Sequence, residues 1–114
     1  AGRDLLAINN TFAMPFYLVG GYSRGTVSIY DIRNFEMAST INLQSPLKEF
    51  DVHRQLPFSL GITDSLVSFS FEDVELKPEP QEFGVIPQSF ALHQSESTCA
   101  LRQNNKIQCV VIDY

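Results

Sequence analysis

"FYLVGGYSRGTVSIYDIRN", residues 16–34, has the composition of two β-strands joined by a glycine-containing turn. The residues after the turn, Thr26–Tyr30, are mostly β-branched and aromatic, a composition that is enriched in strands. Gly25 stands just before them, and glycine accepts the positive φ that a tight hairpin turn often requires. The stretch therefore predicts a β-hairpin whose second strand closes at an acidic residue, Asp31.

The same hairpin pattern occurs twice more along the chain. An apolar run, a polar turn and a β-rich run recur with the turns at residues 63–65 and 104–106. The spacing from Asp31 to Glu72 equals the spacing from Glu72 to Asp113, 41 residues in each case, and each of these residues closes a second strand. A period of about 40 to 45 residues with four strands per unit is typical of β-propeller blades.

The repeat predicts an all-β fold of about three propeller-like units, each made of four antiparallel strands. We expect one domain, residues 1–114, with repeat units at 1–44, 45–85 and 86–114, the third lacking its outer strand because the sequence stops at Tyr114. A single compact β-sandwich is the alternative, since it also uses short alternating strands. Core positions are expected at Val27, Ile29, Val67, Phe69 and Val111.

Residues 46–56 are compatible with either a strand or a helix. Ser45 followed by Pro46 is typical of a helix start. Phe50 and Val52 alternate with polar residues, as on one face of a strand. The repeat favours the strand, and any helix is expected to be confined to this segment.

The tract "EDVELKPEPQE", residues 72–82, is acidic and contains two prolines. Proline interrupts the hydrogen-bond ladder of a sheet, so we expect a solvated connector that does not extend the sheet. A calcium loop needs an obligatory glycine that this tract lacks, so no metal is expected here.

The composition argues against several classes of partner. The net charge is −5 and only 18% of the residues are charged, so the chain has no basic field to attract nucleic acid. No apolar run is long enough for a membrane span, so no membrane partner is expected. The start of the sequence lacks the apolar stretch of a signal peptide.

Residue patterns typical of catalytic, metal-binding or phosphate-binding sites are few in this sequence. His53 and His93 do not have the close ligand spacing of a zinc site, and both are expected to be half-buried strand or loop residues. "GGYSRG", residues 20–25, lacks the Gly-Lys-Ser/Thr end of a phosphate-binding loop. The sequence therefore predicts no enzyme activity, no metal and no cofactor.

Cys99 and Cys109 flank the third predicted turn and fall on neighbouring strands. They form a disulfide only if the strand register brings them close enough, and two free thiols are the favoured alternative. A disulfide would indicate a secreted protein. Without one, a cytoplasmic or nuclear location is favoured.

Residues 18–34 resemble the central part of a WD40 repeat. Tyr30 stands where that family usually has tryptophan, and the units around residues 60–75 and 101–114 match more loosely. The positions that match the family pattern are Gly20, Gly21, Gly25, Val27, Ile29, Asp31, Ile32 and Arg33.

The resemblance implies a protein-interaction scaffold that binds partners through loops at one end of a propeller. Because a closed propeller needs about four to eight blades, we expect another chain or self-association to complete the ring. The predicted partner-binding residues lie in the three hairpin turns and are Tyr22, Ser23, Arg24, Thr63, Asp64, Asn104 and Asn105. The alternative function is that of a small secreted or viral β-sandwich that binds a host surface protein or carbohydrate.

Overall fold

The computed structural model describes residues 4–84 and 86–114, and β-strands dominate it. The strands are β1 (Leu5–Thr11), β2 (Met14–Tyr22), β3 (Thr26–Asp31), β4 (Glu36–Asn42), β5 (Glu49–Val52), β6 (Phe58–Ile62), β7 (Leu66–Ser70), β8 (Lys77–Gln81), β9 (Ser89–Leu92), β10 (Thr98–Gln103) and β11 (Lys106–Val111). One short 3-10 turn, Glu72–Val74, lies between β7 and β8. Over the described residues, the chain contains no helix with the length and apolarity needed to span a membrane.

The strands form three antiparallel sheets in which consecutive strands pair. The first sheet has the order β1-β2-β3-β4, the second has the order β5-β6-β7-β8, and the third has the order β9-β10-β11. This pairing confirms the predicted all-β fold of propeller-like antiparallel units.

The three sheets stack in series through two apolar cores. The first core joins the first and second sheets and includes Val19, Ile29, Phe50 and Phe69. The second core joins the second and third sheets and includes Leu60, Leu66, Leu101 and Val110. The second sheet therefore has both faces covered, whereas a β-sandwich has only two sheets. The β-sandwich alternative for the fold is therefore wrong.

Gly21 lies where the first and second sheets approach closely. The Phe50 ring lies against it, so that a Cβ atom at Gly21 would overlap the ring. The neighbouring Gly20 points to the opposite face, where a Cβ would make ordinary contacts of 3.6 Å with Leu5 and Ile8.

The segment that was compatible with helix or strand contains β5. Phe50 and Val52 are 5% and 2% exposed and both belong to the first core, while Asp51 between them is exposed. This alternation is that of a strand with one buried face. The strand interpretation of residues 46–56 is therefore correct.

The prediction for the acidic tract was wrong, because its second half extends the second sheet. Residues 77–81 form β8, and Pro78 and Pro80 pair with Phe69 and Val67 of β7. An edge strand needs hydrogen-bond donors on one side only, so prolines are tolerated where the missing N–H would face solvent.

Four of the five predicted core positions are buried, and the fifth is not. Val27, Ile29 and Phe69 are fully buried and Val67 is 9% exposed, whereas Val111 is 68% exposed. Val110 and Ile112, the neighbours of Val111, face the second core instead.

The register of the third sheet also separates the two cysteines. Cys99 pairs with Val110 and Cys109 pairs with Ala100, so the two sulfurs leave the sheet on opposite faces. Both are free thiols, Cys99 buried and Cys109 exposed. Burial, with a smaller contribution from Cys109, raises the pKa of Cys99 to about 11.

Candidate functional site

The predicted partner-binding residues lie on one rim of the stacked sheets, which we call the turn rim. It consists of the three hairpin turns, residues 22–25, 63–65 and 104–105, and the two loops between the sheets, residues 43–48 and 82–88. Of the second loop, residue 85 lies outside the described residues. Hydrogen bonds connect each turn to the adjoining loop.

The first turn is fixed by its own backbone and by the first loop. The N–H of Gly25 donates to the Tyr22 carbonyl at 2.9 Å, and Gly25 has a φ of 105°, a value that favours glycine. The N–H of Leu47 donates to the Ser23 carbonyl at 2.9 Å, and the N–H of Leu43 donates to the Gly25 carbonyl at 2.7 Å. The loop therefore positions the first turn.

The same loop reaches the second turn. The Ser45 hydroxyl donates to the Asp64 carboxylate at 2.6 Å. Thr63 is only 7% exposed, and its N–H donates to the Ser65 carbonyl at 2.9 Å. Thr63 thus shapes the turn and offers little surface to a partner, while Asp64 is exposed.

The third turn is held by Gln88 of the second loop. The N–H of Asn104 donates to the Gln88 side-chain oxygen at 2.8 Å, and the N–H of Gln88 donates to the Arg102 carbonyl at 2.8 Å. Asn104 has a φ of 54°, a conformation that asparagine accepts more readily than most residues. The Asn104 and Asn105 side chains are exposed.

Arg24 is the exposed cation of the first turn. Its guanidinium lies 2.7 Å from the Asp4 carboxylate, and the two side chains are 57% and 38% exposed. Exposed pairs of this kind contribute about 0 to 1 kcal/mol to stability, so Arg24 can exchange Asp4 for another acceptor at little cost.

Tyr22 lies at the start of the first turn and is half-buried. Its hydroxyl is hydrogen bonded to the Tyr30 hydroxyl. That hydrogen bond, together with partial burial, raises the pKa of Tyr22 to about 12. The structure therefore gathers the predicted residues on one rim but gives Tyr22 and Thr63 other contacts.

The opposite end of the sheets, which we call the far rim, consists of the connections at residues 12–13, 32–35, 53–57, 71–76 and 93–97. It contains a cluster that the sequence analysis missed. The Arg33 guanidinium donates to the Asp31 carboxylate at 3.0 and 2.9 Å and to the Tyr17 hydroxyl at 2.9 Å. It also lies 5.1 Å from the centre of the Phe16 ring. Hydrogen bonds from Arg33 hold the pKa of the Asp31 carboxyl below its usual range. The Asp-Ile-Arg sequence at the strand end was the available signal.

The far rim also contains hydrogen bonds that cross from one sheet to the next. The Thr11 hydroxyl, at the end of β1, donates to the Arg54 carbonyl at 3.2 Å. His53, which follows β5 and is fully buried, has its Nε2 2.8 Å from the Glu96 carbonyl. Thr11 and His53 thus each bond to the connection between the first two strands of the following sheet.

His53 and His93 are held in the same tautomer. The Nδ1 of His53 accepts the N–H groups of Gln55 and Leu56 at 3.1 and 3.0 Å. The Nδ1 of His93 accepts the N–H groups of Ser95 and Glu96, both at 3.1 Å. Because Nδ1 is an acceptor in both, the proton lies on Nε2, which is then a donor.

Potential metal ligands do not cluster in the part of the chain that the structure describes. Among residues 4–84 and 86–114, no three His, Cys, Asp or Glu side chains are grouped closely enough to hold a metal ion.

The fold is that of known β-propellers. No protein-family model and no curated protein matches the sequence. A structure of a mitotic checkpoint complex contains a chain with a TM-score of 0.73 and 8% identity, covering 95% of this chain and 36% of that one. The β-propeller domain of Myceliophteria thermophila Cps50 (Swd1) has a TM-score of 0.75 and 7% identity, covering 94% of this chain and 38% of that one. The C-terminal WD40 domain of Sif2 has a TM-score of 0.74 and 5% identity, covering 96% of this chain and 34% of that one.

These likenesses establish the fold alone, because the identities are so low. The chain consists of WD40-like β-propeller blades, as the resemblance of residues 18–34 implied. It spans between 34% and 38% of the length of these propeller chains and corresponds to part of a propeller.

Proposed function

We propose that the chain is a non-catalytic protein-interaction module of the WD40-like type, completed into a propeller by another chain or by self-association. The turn rim carries this proposal. Short turns that are already held by backbone hydrogen bonds bind a partner without a large ordering cost. The exposed groups Arg24, Asp64, Asn104 and Asn105 give this rim both donors and acceptors.

Two further observations support a protein as the partner. The net charge of −5 repels phosphate backbones, which argues against nucleic acid. One of the similar chains comes from a mitotic checkpoint complex, so the same fold operates there within an assembly.

Affinity capture from a cell lysate, followed by mass spectrometry, tests the role of the turn rim. The rim variant carries Arg24→Ala, Asn104→Gly and Asn105→Ala, where glycine keeps the positive φ of residue 104. The control variant carries Phe12→Ala, a change at a side chain on the far rim that is 79% exposed. Partners captured by the wild type are expected to be lost by the rim variant and kept by the control, with equal melting temperatures. Retention of all partners by the rim variant would remove the turn rim from the site.

A further inference from the structure

A groove opens on the turn rim between the second and third sheets. It has a volume of about 860 Å³, within the range of protein pockets that bind ligands. It runs from the second turn along the second loop to the end of β10, and its lining includes Asp64, Gln81, Glu82, Phe83, Ile86 and Gln103. Both flanking sheets belong to this chain, so the groove does not depend on what covers the outer faces of the first and third sheets.

We propose that this groove binds a basic segment of a partner protein, in which a lysine or arginine stands next to an apolar side chain. The inference rests on the proposed function, because it names the chemistry of the segment that the turn rim receives.

A proline accounts for the space between the second loop and the second turn. Leu47 of the first loop is 2% exposed, and its N–H donates to the Ser23 carbonyl of the first turn at 2.9 Å. Pro87 is the equivalent residue of the second loop, because it precedes His93 by the same interval as Leu47 precedes His53. Proline has no N–H, so the second loop cannot make the corresponding bond to the second turn. Among the residues that the structure describes, no hydrogen bond joins this loop to this turn.

An outer strand added to the third sheet would leave the groove open. The corresponding place between the first and second sheets shows why, since an outer strand, β8, is present there. The hydrogen bonds of the first loop go to the first turn, to Ile62 and to Asp64, and over the described residues none goes to β8. A strand beside β11 would therefore lie away from the equivalent loop.

The charges around the groove favour a cation. The Asp64 and Glu82 side chains are exposed, and no described residue that lines the groove is basic. The Asp64 carboxylate accepts the Ser45 hydroxyl, a bond that orients the carboxylate and leaves its charge in place. Within residues 4–84 and 86–114, the Glu82 carboxylate belongs to no ion pair. Lysine and arginine donate strong, charge-assisted hydrogen bonds to such carboxylates.

The apolar part of the groove favours a hydrophobic neighbour beside that cation. Ile86 is 53% exposed, and Phe83 is half-buried against the second core. The floor is firm, because Leu66 is 1% exposed and the Gln81 amide donates to the Ser68 hydroxyl at 3.0 Å. An apolar side chain of the partner would remove the exposed part of Ile86 from water, which is favourable.

Immobilised short peptides test this preference with the 114-residue chain. The probe set has arginine beside leucine. The comparison sets have citrulline, a neutral analogue of arginine, beside leucine, then glutamate beside leucine, and arginine beside serine. The chain is expected to bind the arginine–leucine peptides best and to bind them less well as salt is raised, because salt screens exposed charges. Arginine–leucine peptides that bind no better than any comparison set, or that bind regardless of salt, would overturn the proposal.

Acidic variants assign the cation to the groove. Glu82→Gln is expected to weaken binding of the arginine–leucine peptides about three- to tenfold, the effect of one lost charge-assisted hydrogen bond. Asp64→Asn is expected to act similarly, since its side-chain oxygen still accepts the Ser45 hydroxyl. Glu36→Gln is the matched control, because Glu36 is an exposed carboxylate at the start of β4 and lies outside the groove. Equal losses in Glu82→Gln and Glu36→Gln would indicate attraction by net charge alone and would overturn the proposal.

A pair of isoleucines tests the apolar contact. Ile86→Ala is expected to weaken binding of the arginine–leucine peptides about two- to fivefold and to leave the arginine–serine peptides unaffected, because only the first set buries apolar surface there. Ile107→Ala is the control, at a residue of β11 that is 73% exposed and does not line the groove. Melting temperatures are expected to be equal. An unchanged affinity in Ile86→Ala would remove the apolar neighbour from the proposal.

Capture of partners through Arg24, Asn104 and Asn105 is scored separately. A chain that captures partners from a lysate but does not prefer the arginine–leucine peptides would remove the basic segment and leave the interaction module in place. A chain that prefers these peptides while its partners ignore the three substitutions would support the groove and remove those turn residues from the site.

Discussion

His53 and His93 occupy the same position in successive sheets, yet their surroundings differ. His53 is fully buried, with its ring 4.9 Å from the Phe58 ring, and three backbone groups depend on its two nitrogens. His93 makes the equivalent bonds through Nδ1 but is exposed. Burial therefore decides which of the two residues contributes more to the stability of the folded chain.

The histidine pair gives a matched test of that statement. His53→Ala is expected to lower the free energy of unfolding by about 2 to 4 kcal/mol, because buried N–H and C=O groups lose their partners. His93→Ala is expected to cost less than about 1 kcal/mol, since water replaces the side chain there. Urea unfolding at low protein concentration measures both. Equal costs would contradict the assigned roles.

The Tyr22–Tyr30 hydrogen bond gives the chain a pH dependence at alkaline pH. The pKa of Tyr22 rises from 10 to about 12 in the folded chain, chiefly through its bond to Tyr30. A raised pKa means that the folded state keeps its proton longer than the unfolded state, so stability is complete below pH 10 and declines towards pH 12. Tyr22→Phe is expected to remove this part of the decline. Urea unfolding between pH 9 and pH 12 compares the slopes, and identical slopes would contradict the prediction.

At the scale of the strand, local chemistry made the hairpins predictable. Gly25, Asp64 and Asn104 are turn residues whose backbone preferences do not depend on distant contacts. The outer strand β8 was not predictable in this way, because its prolines are acceptable only at a sheet edge and the edge is set by tertiary structure. Val111 was misplaced since a continuous β-rich run does not reveal which alternate residues face inward.

The candidate site was predictable only in outline. The repeat placed the three turns at equivalent positions, and that alone brought Arg24, Asp64 and Asn104 to one rim. The burial of Thr63 depends on tertiary structure, and the bond between Tyr22 and Tyr30 depends on the register of the first hairpin; neither can be inferred from the turn residues alone.

Adjacent glycines of β2 test the contact between the first two sheets. Gly21→Ala is expected to cost about 1 to 3 kcal/mol, because its Cβ would overlap the Phe50 ring in a packed core. Gly20→Ala is the control, since its Cβ has room at 3.6 Å and the change also restricts the unfolded chain. Its effect is expected to lie within about 0.5 kcal/mol of the wild type. Thermal unfolding of both variants provides the comparison, and a similar loss in both would place the close approach elsewhere.

At the scale of the whole molecule, the second sheet connects the two cores. All five residues of β6 are buried, and β7 contributes Leu66 to the second core and Phe69 to the first. Within residues 4–84 and 86–114, the first and third sheets each contribute one face to a core. The stability of the three stacked sheets therefore depends most on the second sheet.

Hydrogen exchange is expected to show this gradient directly. Amides of β6 and β7 are expected to exchange slowest, because both strands are paired on two sides and covered on two faces. Amides of the edge strands β4 and β11 are expected to exchange faster. Exchange followed by mass spectrometry of peptides resolves these strands, and uniform protection across the three sheets would contradict the gradient.

The prolines of β8 have a consequence for aggregation. Pro78 and Pro80 have no N–H, so the outward side of this edge offers few donors to an additional strand. Strand β4, at the edge of the first sheet, contains no proline and keeps its outward donors. A foreign β-strand, whether an extended peptide or a misfolded neighbour, would therefore add to the first sheet in preference to the second.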